Sequence, residues 1–109
     1  MLTRFPMAQV IDKVIQLVKT HRVAVFAKSY CPHCNATKAS LKEAGIKFHN
    51  EDIDKWSPAD MNSAQDYFQE TTGARSVPRI YIEGKCIGGN SDFQANFVKT
   101  GKVRELGAM

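Results

Sequence analysis

At 109 residues, with 43% hydrophobic and 24% charged side chains, the chain has the size and balance of one globular domain with a real core. Its longest apolar runs, such as Val23-Ala24-Val25-Phe26-Ala27, fall far short of a membrane span, which excludes a transmembrane helix. The formal charge of +4 comes from scattered lysines and arginines rather than a basic patch, so it argues against nucleic-acid binding and for a weak field that attracts small anions.

The opening residues, Met1-Leu2-Thr3-Arg4-Phe5-Pro6, lack the apolar centre of a signal peptide, and residues 1–7 read as a lead-in to a single domain over 8–109. One arginine and no acid before Asp12 leave a very short organellar presequence as the second reading. The expected location is the cytoplasm. From residue 8 to about 20, Val10, Val14, Leu17 and Val18 recur at helical spacing, with Ile11 and Ile15 widening the stripe and Pro6 just ahead. Residues 23–27 are short, β-branched and apolar on both faces, as in a central strand covered by helices.

After the polar Lys28-Ser29-Tyr30 comes Cys31-Pro32-His33-Cys34, with Pro32 suited to the first position of a helix. That helix is predicted to run to about 44, stopped by Gly45, with Cys34, Thr37, Leu41 and Ala44 on its core face. A second strand is predicted over 46–54, carrying Phe48 and Ile53. Ser57-Pro58-Ala59-Asp60 has the form of a capped helix start, and Met61, Ala64 and Phe68 continue the stripe towards Gly73. Residues 79–82 and 85–87 read as a hairpin around Glu83-Gly84. Gly88-Gly89 breaks the pattern, Asn90, Ser91 and Asp92 offer another cap, Phe93 and Phe97 share a face, and 103–109 add a last turn. The layout is a compact α/β domain with a mixed sheet.

Three cysteines are an odd number for a disulfide framework, and in a reducing compartment a Cys-x-x-Cys pair signals redox or metal chemistry. A zinc site needs four ligands, usually from paired clusters. Here one pair stands with an isolated Cys86 and dispersed His21, His33 and His49, so no metal is expected and Cys86 reads as a small hydrophobe. A redox dithiol needs two sulfurs within bonding reach and one of them ionised. At a helix entrance Cys31 lies beside unpaired backbone N–H groups that favour the thiolate, and Cys34, one turn further in and facing the core, is the resolving thiol. A protonated His33 beside that thiolate would favour it further; the competing reading is an ordinary exposed helix residue.

With these residues on the page, the sequence resembles the glutaredoxins of the dithiol class over nearly its whole length. The resemblance rests on Lys28 three residues ahead of the Cys-Pro-His-Cys motif, the segment Gly73-Ala74-Arg75-Ser76-Val77-Pro78-Arg79, the pair Gly88-Gly89, and Ser91-Asp92. It implies a thioredoxin-like fold, a four-stranded mixed sheet flanked by helices, with a cis Val77–Pro78 bond facing the thiols. It also implies a monomeric glutathione-dependent thiol–disulfide oxidoreductase acting on glutathionylated and disulfide-containing proteins, with glutathione as co-substrate. Lys28, Gln65 and Arg75 match positions that meet the glycine carboxylate of glutathione. Val77 matches the residue that pairs its backbone with the glutathione cysteine, and Ser91 and Asp92 match those holding the γ-glutamyl end. His33 and Pro78 complete the expected set.

Two positions depart from the family's common pattern: His33 stands where Tyr is usual, and Ser76 where Thr is usual. Thioredoxin-type reductants usually carry Gly-Pro between their cysteines and lack the Lys28, Arg75 and Ser91-Asp92 set. DsbA-type oxidases share the tetrapeptide but need an inserted helical domain for which this chain has no room. An iron–sulfur carrier is the remaining rival, and Pro32 argues against it.

Overall fold

The structure, a computed structural model, describes residues 6–107. Helix α1 (Pro6–Thr20) begins two residues ahead of the predicted start, because Pro6, with its preset φ and no N–H to satisfy, is itself the first helical residue. The rest of the expected lead-in, residues 1–5, lies outside the described residues. Strand β1 (Val23–Ala27) is buried throughout. Its side chains alternate between two cores: Val23, Val25 and Ala27 point into one, Ala24 and Phe26 into the other.

Helix α2 (Pro32–Glu43) follows the expected pattern, with Cys34, Thr37 and Leu41 buried and Ala44 capping its end. Gly45 then takes a left-handed φ of 73° that an L side chain resists. Strand β2 (His49–Asp52) is shorter than predicted. It is an edge strand whose four residues are all half-buried, so it lacks the clean alternation of a one-faced strand, and Ile53 is buried in a 3₁₀ turn (Ile53–Lys55) rather than in the strand. Helix α3 (Pro58–Thr72) starts as its sequence dictates, the Ser57 hydroxyl accepting the Asp60 N–H at 3.1 Å, and ends at Gly73 with φ 87°.

Strands β3 (Arg79–Ile82) and β4 (Lys85–Gly88) are joined by Glu83-Gly84, both at positive φ, a turn whose twist suits a two-residue hairpin. The sheet order is β2-β1-β3-β4, with β2 parallel to β1 and the other pairs antiparallel. Gly89, not a residue of 90–92, caps the single turn of α4 (Asn90–Phe93), which widens into a π turn (Gln94–Val98). The Phe93 and Phe97 rings stack with centroids 5.7 Å apart, and a last 3₁₀ segment (Lys102–Gly107) buries Val103 and Leu106.

Two cores therefore flank one mixed sheet, as the thioredoxin-like expectation requires. One, under α2, α4 and the C-terminal turn, holds Cys34, Leu41, Ile80 and Phe93; the other, under α1 and α3, holds Val14, Phe26, Phe68 and Tyr81. Burial of this apolar surface, at about 25 cal/mol per Å², is the main force holding the helices to the sheet. Among the described residues no helix is long and apolar enough to cross a membrane.

Candidate active site

Beyond the C-terminal end of β1, where open α/β sheets place their sites, the chain runs straight into the cysteine pair. Cys31 is the N-cap of α2 in an extended conformation (φ −95°, ψ 115°), and its Sγ accepts the backbone N–H of Cys34 at 3.2 Å. Its own amide donates to the Lys28 carbonyl at 3.2 Å, and its carbonyl accepts from Asn35 at 3.0 Å. The sulfur thus occupies the place a serine or aspartate oxygen holds in an ordinary cap, with an amide aimed at it that stabilises negative charge there.

Cys34 is fully buried against the α2–α4 core while Cys31 remains half-buried, and both are free thiols. Burial, and then the hydrogen bond with Cys31, push the Cys34 thiol up to about 12. In the reduced protein Cys34 is thus a held proton donor rather than a second thiolate.

Opposite Cys31 stands the segment before β3. The Val77–Pro78 bond is cis, and the Val77 carbonyl lies 3.9 Å from Cys31 Sγ. From there a cleft of about 270 Å³ opens, lined by His33, Ser76, Val77, Pro78, Arg79, Gly89, Asn90, Ser91 and Asp92. Of the residues expected to hold glutathione, His33, Val77, Pro78, Ser91 and Asp92 meet in this cleft. Lys28, Gln65 and Arg75 do not line it, although Lys28 is tied to Cys31 through its carbonyl. Gln65 is buried, and its amide donates to the Arg75 carbonyl at 2.9 Å, so it orients the Arg75 segment. The Arg75 guanidinium is exposed and pairs with Asp66 of α3. A larger hollow, about 510 Å³, lies at the opposite ends of β1 and β2 around His21 and Phe48, and no thiol lines it.

Three supports behind the cleft were not singled out from sequence. Asp54 binds Ser29 with both carboxylate oxygens, taking its N–H at 3.0 Å and its hydroxyl at 2.5 Å. That Ser29 hydrogen bond holds the Asp54 carboxyl below the usual carboxylate range. Thr37, read only as a core-face residue, donates its hydroxyl to Asn90 Oδ1 at 2.8 Å and so ties α2 to α4. Asn90 Oδ1 also accepts from Gln94 at 3.1 Å, and Asp92 Oδ2 accepts the Gly89 N–H at 3.1 Å, which fixes the rim carrying Ser91. Arg79 is buried beneath the same rim. The available signal for it was a lone charge opening an otherwise apolar strand. Among the described residues no three His, Cys, Asp or Glu side chains converge as a metal centre requires.

The arrangement is one of a half-buried, amide-supported sulfur, a buried partner sulfur, and a polar cleft beside them, and it can exchange one disulfide for another with a thiol-bearing ligand. Comparison with known proteins agrees. The glutaredoxin family profile matches residues 23–87. Glutaredoxin-1 of Rhizophagus irregularis is 38% identical over 89 residues, covering 82% of this chain and 86% of that protein. Glutaredoxin-1 of Rattus norvegicus is 38% identical over 96 residues, covering 84% of this chain and 90% of that protein. Among solved structures, the crystal structure of a buckwheat glutaredoxin–glutathione complex superposes with a TM-score of 0.86 at 28% identity, over 96% of this chain and 93% of that one. With its motif, its sheet and its cleft in agreement, the chain belongs to the glutaredoxin family.

Proposed function

We propose that this glutathione-dependent thiol–disulfide oxidoreductase works with Cys31 as the attacking thiolate and Cys34 as the resolving thiol. The substrates are protein–glutathione mixed disulfides and protein disulfides, met by a monomer in the cytoplasm. The observation that carries the division of labour is the Cys34 amide directed at Cys31 Sγ at 3.2 Å while Cys34 itself is fully buried.

In the first step the Cys31 thiolate attacks the glutathione sulfur of a mixed disulfide. The protein thiolate leaves with the electron pair of the broken S–S bond and takes a proton from solvent, and Cys31 is left joined to glutathione. A second glutathione thiolate then attacks that glutathione sulfur, releasing oxidised glutathione and restoring the Cys31 thiolate. Alternatively, Cys34 gives up its proton and attacks Cys31 Sγ, expelling glutathione thiolate and closing an internal disulfide. Two glutathione molecules then reduce that disulfide in turn. The raised Cys34 thiol makes this second route slower than the first while glutathione is plentiful.

The cleft takes glutathione as an added strand along Val77, whose backbone pairs with the glutathione cysteine, with Pro78 packed against the disulfide. Ser91 and Asp92 hold the γ-glutamyl end. Lys28 and Arg75 meet the glycine carboxylate, Arg75 exchanging Asp66 for the ligand, and Gln65 acts there through the Arg75 carbonyl it holds. His33 lines the cleft where Tyr is the usual residue, and it makes the protein more oxidising than the family range of about −200 to −230 mV. Replacing His33 by Tyr brings the potential, read by equilibration against a glutathione buffer, back into that range.

The test is turnover of a glutathione mixed disulfide, coupled to glutathione reductase, in the wild type and in Cys31→Ser and Cys34→Ser. Loss in Cys31→Ser with survival in Cys34→Ser establishes the assignment, and protein-disulfide reduction is then lost in both variants. Inactivity of all three proteins removes the glutathione route.

A further inference from the structure

Arg79 opens β3 directly after the cis proline, and only 6% of it is exposed. A guanidinium taken out of water at this depth loses much of its hydration unless a charge and a full set of acceptors replace it. Here the replacement is incomplete. One terminal nitrogen, Nη1, donates to the Thr72 hydroxyl at 3.2 Å, while Nε is buried without any acceptor. Among the described residues no carboxylate forms an ion pair with it.

Its position gives that deficit a direction. Arg79 lines the cleft together with Asn90, Ser91 and Asp92. Its Nη2 lies just beneath Gly89, where an added Cβ would stand 3.2 Å from it. The guanidinium thus bridges the end of α3, at Thr72, and the rim of the cleft. A side chain needed only to fill space here would be apolar, since an arginine leaves a charge uncompensated.

We propose that Arg79 is a specificity-determining residue: its buried charge is completed by the α-carboxylate of the γ-glutamyl group when glutathione binds. This rests on the reading that glutathione occupies this cleft. The charge acts through the low-dielectric floor, where an unscreened cation is worth far more than a surface lysine at the same distance. Asp92 on the same rim serves the ammonium of that group, so the two residues read the opposite charges of one amino-acid end.

The experiment compares kcat and KM for mixed disulfides of one small thiol with three partners: glutathione, its glycine monoethyl ester, and its diethyl ester, which alone lacks the γ-glutamyl carboxylate. Wild type, Arg79→Gln and Arg79→Lys are measured, with thermal melting of each. The wild type is expected to favour the monoester over the diester by about tenfold or more in kcat/KM. Arg79→Gln erases most of that ratio by raising KM for the two carboxylate-bearing substrates with kcat little changed, and Arg79→Lys restores part of it. Equal losses by Arg79→Gln on the monoester and the diester overturn the proposal, because a merely structural arginine would act on both. Should Arg79→Gln fail to fold, a wild type that turns over monoester and diester at equal rates overturns it on its own. A wild type inactive on all three substrates instead marks failure of the glutathione reading itself.

Discussion

Ser29 and Asp54, 25 residues apart in sequence, are joined twice, amide and hydroxyl each ending on a different oxygen of one carboxylate. This pair pins the Lys28-Ser29-Tyr30 loop to the turn that follows β2, and with it the carbonyl of Lys28 that receives the Cys31 amide. Asp54→Ala is expected to lower kcat/KM for the mixed disulfide several-fold without preventing folding. The Ser29 hydrogen bond depresses the Asp54 carboxyl in the folded protein, so its stabilising contribution is complete above the unfolded value of about 3.9 and disappears as pH falls through the folded value. The stability difference between wild type and Asp54→Ala, from urea melts, should therefore be constant from neutral pH down to about 5 and shrink only below about 4.

The raised Cys34 thiol predicts the opposite limb. A group whose proton is held more tightly in the folded state stabilises fully below its unfolded value, about 8.5 for a thiol, and loses that contribution as pH climbs towards the folded value of about 12. Reduced wild type should lose stability above about pH 8.5 more steeply than Cys34→Ser. Iodoacetamide at neutral pH should label Cys31 and leave Cys34 unmodified by mass mapping.

Thr37 links the two sides of the site through its bond to Asn90. Thr37→Val keeps the shape of this fully buried position and removes the hydroxyl. A cost of about 1–2 kcal/mol is expected in chemical denaturation. KM for the glutathione mixed disulfide should also rise, because the rim carrying Ser91 and Asp92 loses its tether to α2. A stability loss with unchanged KM would separate the tether from binding.

Gly88 sits at φ 111°, and a Cβ there would fall 2.1 Å from Asp92 Oδ2. Gly88→Ala should therefore cost about 1–3 kcal/mol and weaken glutathione capture, by forcing Asp92 off the Gly89 amide. Gly45→Ala is the matched comparison. Its φ of 73° is also unfavourable, but nothing lies within 4 Å, so only the backbone cost of about 1 kcal/mol applies and activity is unaffected.

How far these features could be read from sequence depends on whether their cause is local. Helix α2 was legible because Pro32 and Gly45 act on their own backbone, and the Glu83-Gly84 turn for the same reason. The β2 strand was overextended because Phe48 and Ile53 are apolar at both ends of a polar edge segment, and no periodicity marks where pairing stops. The motif cysteines were found by their spacing, and Ser91-Asp92 of the cleft beside them by resemblance. Asp54, the Thr37–Asn90 bond and buried Arg79 were not, since each depends on a partner 7 to 53 residues away. Gln65 was expected to meet the glycine carboxylate, and neither its burial nor its bond to the Arg75 carbonyl could be read from the sequence.

The alternation of side chains along the sheet also has a bearing on the third sulfur. Cys86 stands across from Tyr81 on β4 and packs with the α1–α3 layer, whereas Cys31 and Cys34 belong to the layer under α2 and α4. The sheet separates Cys86 from the redox pair, placing the third sulfur in the opposite layer. Within the folded chain, Cys34 and not Cys86 is therefore the sulfur placed beside Cys31.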